Sequence, residues 1–382
     1  MRYRVTCLTP TLVGDGGKLA AIDYMVWKDH VNVLDQARIF KLLSKGPRLD
    51  GYLAQLKRAD KLDFASWGGF AQNFAGRRIP FENPAYTAYW NRASGEVLNI
   101  PTFASGPSGQ YLPGGPIKGA LRTGMLFANW KQGMLQEVAQ RLSGDRPARR
   151  PAEALEEQAL GAAGVNRMRL ISAGDSQPVP VDAFKIYLSR VATLQQRGPG
   201  AYALGWKQSP RGAVDGSRPE DSTPSFSEMA SPGTVFEGDW GENEFLSHPD
   251  IRRFSRWPGS NERARIFEAA NDYAAKLLGA HAQYAERTML AALQQEIASL
   301  ESRLARARES GACLLAIGWG GGLLSKTAWL ETDDPDYRRA LGNLPFYARA
   351  LSSPLPFPKT RRIVFLNNQP ATLPGWVLLE VV

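Results

Sequence analysis

Cysteine and histidine are scarce in this chain. Two cysteines, Cys7 and Cys313, stand far apart, each in an apolar, strand-like run. Neither a disulfide framework nor a zinc-ligand spacing can be built from them, and a reducing, cytoplasmic setting is expected. The three histidines, His30, His248 and His281, form no metal-ligand or nucleophile pattern. No run of about 18 apolar residues occurs, so no membrane partner is expected. The opening MRYRVTCLTPTLVGDGG lacks the apolar core and cleavage site of a signal peptide. Acidic residues are scattered. Asp15 lies in a glycine loop and Asp175 in a turn, where local hydrogen bonding favours Asp. Neither has a carboxylate partner for two-metal chemistry. No internal repeat and no RNP1 sequence is visible. No cofactor and no metal is expected.

What is present is size and positive charge. With 382 residues, 43% of them hydrophobic, the chain can hold two domains or one core with large insertions. Lys and Arg number 46 against 37 Asp and Glu, giving a net charge of +9. That excess favours a polyanionic partner, although it says nothing about fold.

The chain is organised around YLPGGPIKGALRT, residues 111–123. Pro113-Gly114-Gly115 makes a tight turn, and a helix is expected from Pro116, where a missing amide costs nothing. Ile117, Ala120, Leu121, Met125 and Ala128 recur at helical spacing and predict a buried face. Lys118 and Arg122 lie four apart on the other side, a like-charge pair that costs a helix about 0.2–0.5 kcal/mol. An anion between them would remove that cost. Glycines let a backbone come close, and a helix N-terminus favours negative charge. A phosphate seat and a plain solvated surface helix both fit these residues.

In chain order, Arg2 to Leu8 reads as a strand. Tyr24 to Trp27 and Val31 to Leu34 read as a hairpin, and Asp35 as the N-cap of a helix carrying Ile39, Phe40, Leu42 and Leu43. Trp67, Phe70 and Phe74 have helical spacing and fit a core better than a base-stacking surface. Residues 131–142 and 152–163 read as helices, Met168 to Ser172 and Val181 to Leu188 as strands, and Gly174-Asp175-Ser176 as a turn. Residues 196–226, rich in Gly, Pro and Ser, are expected to form a mobile loop. Residues 262–309 predict a helical hairpin. Ala312 to Ile317, 361–365 and 375–382 read as strands, the last two joined by a turn at 374–376.

GWGGGLLSKT, residues 318–327, invites a P-loop reading but has Ser325 where glycine must precede the lysine. Two readings remain. One is a glycine-rich turn against which an RNA backbone lies, with Gly320, Gly321, Gly322, Lys326 and Thr327 as the seat. The other is a turn that packs on a neighbouring strand. Gly14 and Gly16 allow a similar close approach. Arg77, Arg78, Arg149 and Arg150 are weaker phosphate candidates that fit a solvated surface equally well.

Six motifs, in order, resemble the RAMP superfamily of CRISPR-associated proteins, and within it the type III-A (Csm) effector subunit that caps the crRNA 3′ end. They are TPTLVGDG (9–16), YLPGGPIKGALRT, ISAGDSQPV (171–179), ASPGTVF (230–236), GWGGGLLSKT and FPKTRR…PGWVLLE (357–380). Leu12 stands where relatives often carry His, and Ala173-Gly174 precede Asp175 where Ser is usual. The resemblance implies an α+β, ferredoxin-like (RRM-type) core with inserted helical and loop subdomains. It divides the chain into a core region 1–130, an inserted region 131–310 and closing strands 311–382. It implies a non-catalytic subunit that binds crRNA and supports its maturation. Gly114 and Gly115 join Lys118 and Arg122 as its RNA-binding residues. The implied partners are crRNA, target RNA as a second candidate, the repeated backbone subunit and a trimming nuclease. A RAMP-type endoribonuclease and a purely structural scaffold are the rival readings.

Overall fold

The computed structural model describes residues 1–58, 61–62, 74–131, 133–143, 149–208, 216–254 and 262–382. Alternation gives strand Arg2–Cys7 two unlike faces. Tyr3, Val5 and Cys7 are buried, while Arg2 and Arg4 reach solvent and pair with Glu237 on the next strand. This strand lies third in a five-stranded antiparallel sheet, in the order Cys313–Ala316, Trp376–Val381, Arg2–Cys7, Val235–Glu242, Ile171–Ser176. Val5 stands beside Phe236 on one side and Leu379 on the other, and Leu379 beside Cys313. One face of the sheet is therefore apolar across these strands, and helices must cover it.

Two helices do so. The central helix Gly114–Ala128 contributes Ile117, Leu121 and Met125, and Glu262–Thr288 contributes Ile266 and Ala270. They meet closely at Gly124, where a Cβ would stand 2.6 Å from the Ala270 Cα. Strands Arg2–Cys7 and Ile171–Ser176 both run antiparallel to Val235–Glu242 between them, hence parallel to each other. With the central helix joining them in sequence, this is the split β–α–β unit of a ferredoxin-like core. The α+β class expected from the sequence holds.

A second sheet is built on the 15-residue strand Phe184–Gly198. Ser225–Ala230 and Ala201–Trp206 pair along one edge and Thr360–Leu366 along the other. Its apolar side, with Ile186, Leu188 and Ile363, packs into one cluster with Leu277 and Leu300 of the hairpin Glu262–Thr288 and Ala291–Ser310.

Several expectations are met. The 24–34 hairpin forms, and the Asp35 carboxylate caps its helix at the Arg38 amide, 2.9 Å. Of that helix's apolar residues, Ile39 and Leu43 are buried but Phe40 and Leu42 are exposed. Four expectations need correction. The central helix begins at Gly114, because Pro113 is its N-cap, and Pro116 falls within the first turn. Residues 168–172 are not one strand; a 3₁₀ turn ends at Arg169, and the strand Ile171–Ser176 takes in the supposed turn at 174–176. The loop expected over 196–226 begins as a β-hairpin, since Ala201–Trp206 folds back on Phe184–Gly198. A further strand, Gln369–Thr372, lies between the last two expected strands, ahead of the turn expected at 374–376. Phe74 packs beside the small cluster of Ile39, Leu43 and Tyr52. Trp67 and Phe70 lie outside the described residues. Among the described residues no helix is long and apolar enough to cross a membrane.

The central helix offers a paired test. Gly124→Leu should lose on the order of 1–3 kcal/mol in urea unfolding, because the two helices cannot separate without strain. Gly119→Leu, on the same helix with nothing within 4 Å of its Cβ position, should match or slightly exceed the parent. Equal losses at both positions would refute the close helix contact.

Candidate nucleic-acid interface

Three segments far apart in sequence are locked together through backbone. Trp319 N donates to Leu12 O at 2.8 Å, Gly375 N to Pro10 O at 3.0 Å, and Ile317 N to Gly375 O at 2.8 Å. Gly318 has φ +74° and Gly375 φ +87°, and a Cβ at either would overlap a carbonyl, that of Leu12 or Ile317. Only glycine fits here, on conformation and on space.

Beside this junction lies a cleft of about 600 Å³. Its walls are the loop Gly14 to Lys18, the helix face of Pro116, Gly119, Ala120 and Thr123, and the turn from Gly318 to Lys326. Lys18 and Lys326 are its cations, and no carboxylate lines it among the described residues. Asp15, in the same loop, turns its carboxylate onto the Gly17 amide at 2.8 Å. Lys326 donates to Gly318 O at 3.0 Å, and burial holds its ammonium below the usual lysine range. Five glycines and two lysines without a carboxylate can seat an anionic backbone. They provide no acid–base pair.

The structure brings Gly14, Gly16 and Lys326 together in this cleft. It does not bring Lys118 and Arg122 there. At about 100° per residue they lie roughly 130° round the helix from the cleft face. Arg122 pairs with Glu156 of helix Glu153–Leu160, so its partner is a protein carboxylate. Lys118 is half-buried, and burial followed by the Arg169 charge lowers its pKa. The head of the helix is also occupied: Gly114 N donates to the Asp175 carboxylate at 2.9 Å. Gly114 is buried against Ala173 O, whereas Gly115 faces open space.

In the late turn, Gly320 packs on Pro374 and Arg362 and Gly321 on Ser325, while Gly322 is open. The Thr327 hydroxyl is engaged by Trp329 and Tyr337. Arg77 pairs with the fully buried Glu228 at 2.7 Å. Arg78 is exposed, as are Arg149 and Arg150, and Arg150 pairs with Glu153. Lys18 and Trp319 went unnoticed in the sequence. Lys18 could have been found as the cation that closes the Gly14–Gly17 loop. Trp319 carried no signal.

None of the histidines lines this cleft. His30 pairs with Asp29, His248 lies near Asp250, and His281 is buried against Arg361. Among the described residues no group of His, Cys, Asp and Glu could hold a metal ion. Burial pushes the Cys7 thiol up to about 12 and Cys313 well above its usual value.

The sequence matches the model of the RAMP superfamily over residues 4–325. No curated protein matches it. Among solved structures, the chain is similar to one in the cryo-EM structure of a Csm–crRNA–target RNA ternary complex of a type III-A CRISPR–Cas system. That similarity has TM-score 0.67 and 19% identity, with all of both chains covered. It is also similar to the crystal structure of T. onnurineus Csm5, with TM-score 0.59, 17% identity, 98% of this chain and 99% of that one covered. At these identities the likeness concerns the fold.

The buried His281 makes stability depend on pH. Its Nδ1 accepts from Arg361 Nε at 3.0 Å, and burial first, then the guanidinium, hold its pKa well below 6.5. The unfolded chain binds a proton there that the folded chain refuses. This group's stabilisation is complete above about pH 6.5 and declines below it, by about 1.4 kcal/mol per pH unit. Urea unfolding of the parent should show that extra slope relative to His281→Gln, whose amide oxygen accepts the same bond. Parallel slopes would contradict it.

Proposed function

The chain belongs to the RAMP superfamily, and on that premise we propose that it is a non-catalytic RNA-binding subunit of a type III-A CRISPR effector complex, holding the 3′ part of the crRNA. The carboxylate-free cleft supports this most directly. It joins the TPTLVGDG loop, the central helix and the late glycine turn, three of the motifs that carry the resemblance. The full-length likeness to a chain of a Csm–crRNA–target RNA complex supports the assembly. Lys18 and Lys326 would hold phosphates while Gly14, Gly16 and Gly119 leave room for the strand. Such contacts position RNA without reading its sequence, as a protein that must accept any spacer requires. Lys118, with Gly115 open nearby, is assigned a lesser phosphate contact on the other flank. Arg122, held by Glu156, keeps that flank in place. The repeated backbone subunit, target RNA and a trimming nuclease are the partners this role calls for.

Lys18→Ala with Lys326→Ala should weaken binding of a crRNA 3′ fragment. It should also lower the slope of log affinity against log salt by about 1.4, at roughly 0.7 per single-strand phosphate contact. Because Lys326→Ala also removes the bond to Gly318 O, stability should fall by about 1 kcal/mol at most, and Lys118→Ala should cost less RNA affinity. Complexes assembled without this chain should carry longer, ragged guides. Unchanged affinity and slope would remove the cleft from the RNA path. Cleavage of precursor RNA by the purified chain would favour the endoribonuclease reading.

A further inference from the structure

A second cleft is lined by Gly320, Gly321 and Gly322 of the same turn and shares Trp319 with the first. Strand Thr360–Leu366 contributes Thr360, Arg361 and Arg362. Helix Pro345–Leu351 contributes Phe346, Tyr347 and Ala350, and Phe357 adds a further aromatic wall. Its volume of about 490 Å³ suits a small ligand, for which clefts of about 300–1,000 Å³ are usual.

Its charge is one-sided. Lys207, Lys359, Arg361 and Arg362 line it, and no Asp or Glu does. None of these four pairs with a carboxylate among the described residues. The guanidiniums rest instead on rings and neutral oxygens. Arg362 lies 4.2 Å over the Trp319 ring and donates to Ser189 Oγ at 3.2 Å. Arg361 lies 4.6 Å over Tyr284 and donates to His281 and to the carbonyls of Pro358 and Thr360. These contacts satisfy hydrogens but leave the charge uncompensated. Burial pushes both pKa values down to about 10. Desolvated cations kept without a partner favour an anionic ligand.

Aromatic walls over a cationic floor complement a planar ring that carries an anion. A nucleotide residue supplies ring and anion in one unit, and the shared Trp319 sets this cleft beside the first. We propose that the second cleft takes one nucleotide of a bound RNA single strand, its base against Trp319 and Tyr347 and its phosphate on Lys207, Lys359 and Arg362. The assignment rests on reading the first cleft as an RNA-backbone seat.

The test is an abasic walk. A single abasic site is moved along a short single-stranded RNA, and affinity for the full chain is measured at each position. One position should cost about tenfold, the scale of one lost base–aromatic stack. In Tyr347→Ala the walk should become flat. Ala350→Trp, which fills the cleft from an exposed position, should flatten it while leaving thermal unfolding unchanged. Lys207→Ala with Lys359→Ala should weaken all the RNAs equally and lower the salt slope by about 1.4. A flat walk on the parent chain, with RNA still bound and still sensitive to Lys18→Ala, would overturn this assignment alone. A parent chain that binds no RNA would overturn both readings. An acidic, aromatic peptide that binds and is lost in Ala350→Trp, with RNA binding unaffected, would give the cleft to a protein partner.

Discussion

The proposed RNA face depends on backbone packed against backbone where Gly318 meets Leu12. No side chain can enter that contact, so the segments at 10–14, 317–319 and 374–376 are held at one fixed separation. Thr9 Oγ takes the Trp376 amide at 3.0 Å and closes the same junction. Buried amides left unmatched would cost about 1–3 kcal/mol each, which makes the junction all-or-none. It fixes Trp319 on the divide between the two clefts and sets the Gly14–Lys18 loop opposite the helix.

The net positive charge is distributed with the same economy. Away from the clefts several cations are matched: Arg122 by Glu156, Arg77 by Glu228, Lys276 by Glu331, Arg308 by Asp272. Along the clefts the carboxylates stop. Field lines from unmatched cations in concave, poorly solvated surfaces concentrate there and draw a polyanion in. A buried guanidinium, Arg361, and a half-buried one, Arg362, without counter-ions are a poor way to stabilise a fold, and a sound way to bind an anionic strand.

The sequence made the glycine turns legible, because a backbone that must approach another leaves a mark in composition. It could not say whose backbone approaches. Gly114, Gly320 and Gly321 are closed by the protein itself, and Gly16, Gly115 and Gly322 are open. Spacing showed that Lys118 and Arg122 share a flank but not which flank solvent reaches. The helix Glu153–Leu160 settles that by bringing Glu156 to Arg122. The long strand Phe184–Gly198 was legible only as far as Leu188, and the rest was hidden for a related reason. Its polar members Ser189, Arg190 and Thr193 are buried and bonded internally, Arg190 to Ser222 and Ser189 to Ser225. Polarity in a sequence marks a surface only when no distant residue satisfies it.

Two adjoining clefts of different character would do what one could not. A groove that holds only phosphates lets a strand slide, because every phosphate is alike. Stacking holds one base in place without regard to its identity, since every base has a π-face. A backbone seat followed by a single base seat would therefore fix the register of a strand while leaving its sequence free. For the proposed role, in which the spacer of the guide varies but its end must lie at a defined place, that combination would suffice.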